Sequence, residues 1–242
     1  MNAQDGQTYI DAVASATGFV LDYHMVMARH DVGVLKAVNE MREQIRSGST
    51  LDDKTQELVY VVGYTVAGFP REHLVWHTRA ALEAGGTADE IGQALEIVRQ
   101  VAGSELSLRG VEVLAELIGL EAPDTGPTDT HAAPAESRPA PAERTGPLDH
   151  RTQEILLALG QAVSCGREGE VARHTRAAIE AGAAPKEVLD AFELLLLISG
   201  AITFMHAVET WAEVTGAEGL EPTVPYITMN NDGTPRSSSA AG

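Results

Sequence analysis

The sequence predicts an all-α protein built from two copies of one helical unit. Apolar residues recur at helical spacing, and no segment shows the alternation of period two that marks a β-strand. The second half of the chain also repeats the first. At an offset of 97 residues, 25 of 71 positions are identical between residues 51–121 and 148–218. A duplication of this kind predicts that both copies share one fold.

The duplication divides the chain into four parts. Lead-in helices and the first repeat are expected within residues 1–121, and the second repeat within residues 148–220. Residues 122–147 contain six of the chain's 11 prolines and no large apolar residue. Such a composition cannot bury enough surface to offset its ordering entropy, which predicts a disordered or extended linker. Residues 221–242 are predicted to form a flexible tail.

Two helices are predicted ahead of the first repeat. Their apolar periodicity places them at about residues 8–21 and 32–46. The predicted breaks lie at Gly18 and near residues 30–31, where glycine or a short polar residue favours a helix end.

Capping residues place the first two helices of each repeat. Asp52 and Asp149 are expected to be the N-cap residues of the first helix, because a carboxylate there accepts from free backbone N–H groups. The second helix is predicted at about residues 71–83, with its C-terminal stop at residues 84–86, and its counterpart stops at Gly182.

The third and fourth helices follow by the same reasoning. Thr87 and Glu90 form the pattern of a capping box at the start of the third helix. In the second copy Pro185 occupies the first turn, where proline is tolerated. The fourth helix is predicted at about residues 106–117 and 203–214.

Charge and composition exclude several classes of protein. The chain has 35 acidic against 17 basic residues, a formal charge of −18, which argues against binding to nucleic acid or anionic membranes. It has neither a run of 18 apolar residues nor an N-terminal targeting pattern, so we expect a cytoplasmic protein. Its single cysteine, Cys165, excludes an intrachain disulfide and a cysteine-rich zinc site.

Each repeat has a glutamate twenty residues before a histidine. These pairs are Glu57 with His77 and Glu154 with His174. Two antiparallel helices with a short connection can bring such residues together. A carboxylate beside an imidazole in a helical core suits proton transfer, so all four are candidate catalytic residues. The alternative is a structural polar pair that orients the helices.

Residues around each histidine are candidates for substrate binding. Arg79 and Arg176 follow the histidines by two positions and either hold a carboxylate or face solvent. The first repeat adds His73 and Trp76. The second adds His206, at the position where the first has Arg109. The His73–His77 spacing suits a metal, but no further ligand pattern accompanies it, so we expect no metal.

These motifs resemble those of the carboxymuconolactone decarboxylase family. The resemblance lies in the string L-D-x-(K/R)-T-x-E followed by H-x-R-A-A and a glycine, and it covers both repeats. It also includes the helix within residues 31–48, which is similar to the lead-in helix of family members. The family implies small all-α proteins that form trimers or hexamers with active sites between helices. For this chain it implies two units packed as a built-in dimer and a homo-oligomer, a trimer of tandem chains.

The residues before each histidine distinguish two branches of this family. The alkylhydroperoxidase-D branch has C-x-x-C-x-x-x-H, but residues 70–77 and 167–174 contain no cysteine. Thiol peroxidase activity, which needs two thiols, is therefore disfavoured, and Cys165 is interpreted as a small apolar residue. Residues 166–174 instead resemble the G-R-E-x-x-L-x-x-H segment of the decarboxylase branch.

The resemblance implies a cofactor-independent lyase that acts on a small conjugated carboxylic acid or lactone, in aromatic catabolism or secondary metabolism. Its histidine would donate a proton or hold an oxyanion, its glutamate would orient the histidine, and its arginine would bind the anionic substrate. Isomerisation and ring formation stay open as reactions. The first repeat is favoured as the catalytic one because it has two imidazoles and the lead-in helices. The alternative function is a non-catalytic small-molecule-binding or assembly protein.

Overall fold

The computed structural model describes residues 3–17, 20–120, 146–165 and 168–219, and these residues form helices and their connections without a strand. The all-α prediction is therefore confirmed. The predicted tail lies outside the described residues, as does the predicted linker up to residue 145.

Three helices, not two, precede the first repeat. Residues 22–30 form a helix of their own, which the sequence analysis missed. The backbone N–H of Leu21 donates to Nδ1 of His24 over 3.1 Å at its start. Asp31 then leaves the helical region and caps the next helix through its carboxylate. The helices are α1 (Ala3–Thr17), α2 (Asp22–His30) and α3 (Val32–Gly48).

The two repeats have helices at equivalent positions. The helices α4 and α8 begin 97 residues apart and end 97 residues apart. The second copy differs in its third helix, which Leu194 interrupts. The first repeat contains α4 (Asp53–Val66), α5 (Arg71–Glu83), α6 (Ala88–Ala102) and α7 (Ser104–Leu117). The second contains α8 (His150–Val163), α9 (Glu168–Glu180), α10 (Pro185–Glu193), α11 (Leu195–Ile198) and α12 (Ala201–Thr215).

The predicted caps form as expected. The carboxylates of Asp52 and Asp149 accept from the backbone N–H three residues on, over 2.8 and 2.7 Å. Thr87 and Glu90 complete a capping box, in which each side chain accepts from the backbone N–H of the other residue. Because the equivalent residues Asp52 and Asp149 cap α4 and α8, Glu57 and Glu154 both lie in the second turn of their helices.

The two repeats share one hydrophobic core, at whose centre α4 and α8 pack. Both helices are buried on almost all sides, as a central helix must be. Gly63 of α4 faces Ile198, and Gly160 of α8 faces Val101. Because these two pairs are equivalent positions in the repeats, the contacts are reciprocal, as across a two-fold axis.

Reciprocal hydrogen bonds join the edges of the repeats. The backbone N–H and the hydroxyl of Thr50 both donate to Oδ2 of the buried Asp190, each over 2.6 Å. In the other direction, the backbone N–H of Leu148 donates to Oε1 of Gln93 over 2.8 Å. Asp190 and Gln93 are equivalent positions. In each repeat, this position therefore accepts a hydrogen bond from the segment that precedes the first helix of the other repeat.

No helix in the described part of the chain combines the length and the apolar character that crossing a lipid bilayer requires.

Candidate active site

The structure brings Glu57 and His77 into direct contact. Glu57 lies in the second turn of α4, and His77 lies on the antiparallel helix α5. Nδ1 of His77 and Oε2 of Glu57 are 2.6 Å apart. Only 5% of the glutamate side chain and 11% of the histidine side chain are exposed. The pair is thus shielded from bulk water but retains some access at the imidazole.

Arg46 of α3 holds the other oxygen of the same carboxylate. Its guanidinium donates to Oε1 of Glu57 over 2.6 Å. Burial raises the pKa of Glu57, but the hydrogen bonds and charges of His77 and Arg46 lower it by more, and the net pKa lies below the ordinary value. Glu57 is consequently a carboxylate at neutral pH.

His77 is a neutral base at neutral pH. Burial lowers its pKa, and the charges of Arg46 and Arg42 lower it further, which outweighs the opposite effect of Glu57. Because Nδ1 faces a carboxylate, the single proton of the neutral ring lies on Nδ1 and is donated to Glu57. The Nε2 atom then carries a lone pair and is free to accept a proton.

Aromatic rings surround this imidazole. Tyr60 stacks on His77 with ring centroids 4.3 Å apart and an interplanar angle of 23°. Tyr64 lies 5.1 Å from His77, and 5.4 Å from His73 one helical turn earlier. Phe69 contacts both Tyr64 and His73. Burial raises the pKa of Tyr64 to about 12 and also raises that of Tyr60, so both hydroxyls keep their protons.

The equivalent pair in the second repeat is sealed. Nδ1 of His174 and Oε2 of Glu154 are 2.5 Å apart, and neither side chain has any exposed surface. Nε2 of His174 accepts from the guanidinium of Arg173 over 2.5 Å. The position equivalent to Tyr60 is Leu157, so this imidazole lacks the stacked ring of the first repeat. These features suit a structural polar pair.

The other predicted site residues do not all join these pairs. His73 and Trp76 are half-buried on α5, and His73 belongs to the aromatic cluster around His77. Arg79 and Arg176 are exposed, because two residues along a helix turn the side chain by roughly 200°. His206 is exposed on α12.

Sequence reasoning missed the residues that the lead-in helices contribute. Arg42 and Arg46 are one turn apart on α3, as are Tyr60 and Tyr64 on α4, and this spacing could have indicated a shared face. His24 on α2 had no such pattern. Cys165, interpreted as apolar, is exposed after α8 with a backbone φ of 53°.

Among the described residues, no group of three or more histidine, cysteine, aspartate or glutamate side chains is placed to hold a metal ion.

Comparison with known proteins relates both repeats to one family. The sequence model of the carboxymuconolactone decarboxylase family matches residues 32–116 and again residues 139–213, which together form more than half of the 242-residue chain. An uncharacterized protein of Methanocaldococcus jannaschii is 29% identical over 84 residues, which is 35% of this chain and 78% of that protein. No solved structure gives a significant match.

Proposed function

Because the chain belongs to the carboxymuconolactone decarboxylase family, we propose that its first repeat is the active site of a cofactor-independent, decarboxylase-like lyase. The observation that carries the proposal is the arrangement of Glu57 between His77 and Arg46. It fixes the imidazole in one tautomer and leaves Nε2, the reactive nitrogen, without a partner in the described structure. The substrate is a small conjugated carboxylic acid or lactone.

The proposed reaction requires one proton carrier. Decarboxylation breaks the bond between the carboxylate carbon and the adjacent carbon. CO2 leaves, and the electron pair of the broken bond moves into the conjugated carbonyl. The resulting dienolate needs one proton at carbon, so each turnover consumes one proton. His77 takes this proton from solvent on Nε2 and delivers it to carbon, while Glu57 stabilises the transient imidazolium. In an isomerisation, the same nitrogen would remove and return the proton.

We assign a structural role to the second repeat. The support is the complete burial of Glu154 and His174 and the guanidinium of Arg173 at the nitrogen that would have to reach a substrate. A proton carrier must contact its substrate in some state of the cycle. The second pair instead holds α8 against α9 through a fully buried hydrogen bond.

The test measures CO2 release and ultraviolet absorbance with carboxymuconolactone and a panel of conjugated acids and lactones. With the substrate that turns over, His77→Gln should lower kcat by about 100-fold or more, the usual contribution of acid–base catalysis. His174→Gln, the matched change in the second repeat, should leave kcat within about twofold in protein that stays folded.

Two outcomes would contradict the proposal. Unchanged turnover in His77→Gln would exclude His77 as the proton carrier. Ligand binding without turnover across the panel, together with unchanged binding in Glu57→Gln, would favour the non-catalytic small-molecule-binding protein.

A further inference from the structure

We infer that the lead-in helices provide a binding position for the substrate's carboxylate, formed by Arg42 of α3 and His24 of α2. This inference rests on the proposed function, because it places the anionic group of the substrate opposite His77. The two residues belong to the lead-in helices, which end at Gly48, and the second repeat has no helix in the described structure that matches them.

Arg42 is a half-buried cation without a carboxylate partner among the described residues. Its guanidinium donates to Oδ1 of Asn39 over 3.3 Å. It nevertheless lies close enough to lower the pKa of His24, His73 and His77 by its charge. Arg46, one turn further along α3, has its charge neutralised by Glu57. Arg42 therefore differs from Arg46 in having a charge that no described side chain balances.

His24 offers a hydrogen-bond donor that is buried and unused. The residue is 5% exposed. Its Nδ1 accepts from the backbone N–H of Leu21, which places the proton of the neutral ring on Nε2. This Nε2 is buried and has no hydrogen-bond partner among the residues that the structure describes. Burial, together with the charges of Arg42 and His73, lowers the pKa of His24 and keeps the ring neutral. Unpaired buried donors are rare in folded proteins, and a ligand is one partner that satisfies them.

A third unused group lies beside the imidazole. The hydroxyl of Tyr60, whose ring stacks on His77, is also buried and has no hydrogen-bond partner in the described part of the chain. Together, Arg42, His24 and Tyr60 supply donors but no carboxylate, which suits an anion rather than a cation.

Arg42 carries the charge that no hydrogen-bonded carboxylate balances among the residues described around this site. Glu57 and Arg46 balance each other, and His24 and His77 are neutral, while Glu72 acts on His73 through its charge. A carboxylate accepts from a guanidinium and from an imidazole N–H with charge-assisted hydrogen bonds. The conjugated part of the ligand is that of the substrate in the proposed function, whose carbon His77 protonates. The ligand class is therefore a planar conjugated monocarboxylate, or one carboxylate of a larger acid.

The first test compares two probes of equal shape and different charge. Sorbate, the anion of hexa-2,4-dienoic acid, and its neutral amide, sorbamide, are titrated into the full chain by calorimetry at pH 7.5. We expect sorbate to bind with a Kd at least about tenfold lower than that of sorbamide. Equal affinities for the two probes, or no binding of sorbate, would overturn the inference, and this result needs only the native chain.

The second test uses matched variants. Arg42→Gln should raise the Kd of sorbate about tenfold and leave that of sorbamide unchanged. Arg42→Lys should restore part of the preference. His24→Asn keeps an acceptor for Leu21 but removes the donor at Nε2, and should weaken sorbate binding severalfold. The control Arg29→Gln removes the same charge from an exposed position on α2 and should have no effect. Circular dichroism checks that each variant is folded.

The results separate this inference from the proposed function. If Arg42→Gln and Arg29→Gln weaken sorbate equally, the effect is one of overall charge and the carboxylate position is wrong. If Arg42→Gln leaves Kd and KM unchanged while turnover still depends on His77, only the inference fails. If the charge preference follows Arg42 but His77→Gln keeps its turnover, only the proposed function fails.

Discussion

His77 and His174 occupy equivalent positions, yet the two imidazoles differ at the nitrogen that faces away from the glutamate. In the first repeat this nitrogen lies among tyrosine rings and retains access, whereas in the second it accepts from Arg173 inside the core. A duplicated motif of the same residue types thus has two different surroundings. The difference arises from residues that the repeats do not share, and it leads to two predictions at the level of single side chains.

Replacing Glu57 should lower the pKa of His77 still further. The hydrogen bond and the charge of Glu57 both raise this pKa, against the dominant effect of burial, and Glu57→Gln removes the charge. Histidine resonances followed by NMR between pH 4 and 8 should show His77 titrating below about 6.5 in the native chain and lower in the variant. Glu83→Gln, an exposed change on α5, is the control. An upward shift in Glu57→Gln would contradict the assignment.

The same shift fixes the direction of the pH dependence of stability. The folded pKa of His77 lies below the unfolded one, as do those of His24 and His73, so the unfolded chain binds more protons just below pH 6.5. The free energy of unfolding should therefore fall as the pH drops through this range. Urea denaturation at pH 6 and pH 7.5 measures this free energy. A lower free energy of unfolding at pH 7.5 than at pH 6 would be inconsistent with neutral histidines.

Removing His174 should destabilise the fold. The carboxylate of Glu154 is completely buried, and without the imidazole it loses a hydrogen-bonding partner. Breaking a buried pair on one side costs about 3–5 kcal/mol, whereas replacing both members by apolar residues is often much less costly. In urea denaturation, His174→Ala should be destabilised by about 3 kcal/mol, and Glu154→Leu with His174→Leu by less. A loss below 1 kcal/mol in His174→Ala would argue against a structural pair.

Sequence reasoning located the glutamate–histidine contacts but not their surroundings. Helical periodicity and capping are local properties, so the twenty-residue spacing correctly brought Glu57 to His77. Arg79 is close to His77 in sequence, but residues two apart on a helix face different directions, and Arg79 is exposed. Arg46 reaches Glu57 from α3, and single-sequence periodicity contains no information about such a contact between separate helices.

At the scale of helices, the reciprocal glycine contacts determine how closely the repeats approach. A Cβ atom at Gly63 would lie 2.6 Å from Cδ1 of Ile198, and one at Gly160 would lie 3.1 Å from Cγ2 of Val101. Helix boundaries were predictable to within a few residues because Asp52, Thr87 and Pro185 cap or begin their helices locally. The break between α10 and α11 at Leu194 was not predictable, because leucine is a good helix former.

Alanine should be tolerated less well at Gly63 than at Gly160. Alanine favours a helix interior by about 1 kcal/mol over glycine, but overpacking costs about 1–3 kcal/mol. The shorter distance at Gly63 makes the clash the larger effect there, so Gly63→Ala should lower the free energy of unfolding and Gly160→Ala should change it little. Adding Ile198→Val to Gly63→Ala should restore stability. Equal effects at both glycines would show that the helices separate freely.

At the scale of the whole chain, one hydrophobic core extends across both repeats. The repeats should therefore remain associated after the chain between them is cut. With a protease site placed within residues 122–145, we expect both fragments to elute together in size-exclusion chromatography and their melting temperature to depend on concentration after cleavage. Fragments that separate and stay folded would indicate two independent domains. The trimer of tandem chains stays a prediction, which sedimentation velocity can test.

The covalent connection between the repeats also affects how their sequences can diverge. In an assembly of identical subunits, each substitution appears in both halves, so a change that seals one site seals the other. Joining the halves in one gene removes that restriction and keeps them at a one-to-one ratio. Arg173 can then donate a hydrogen bond to Nε2 of His174, while the equivalent position in the first repeat is Trp76. The glutamate–histidine pair of one half can then be sealed while the pair of the other half keeps some exposure.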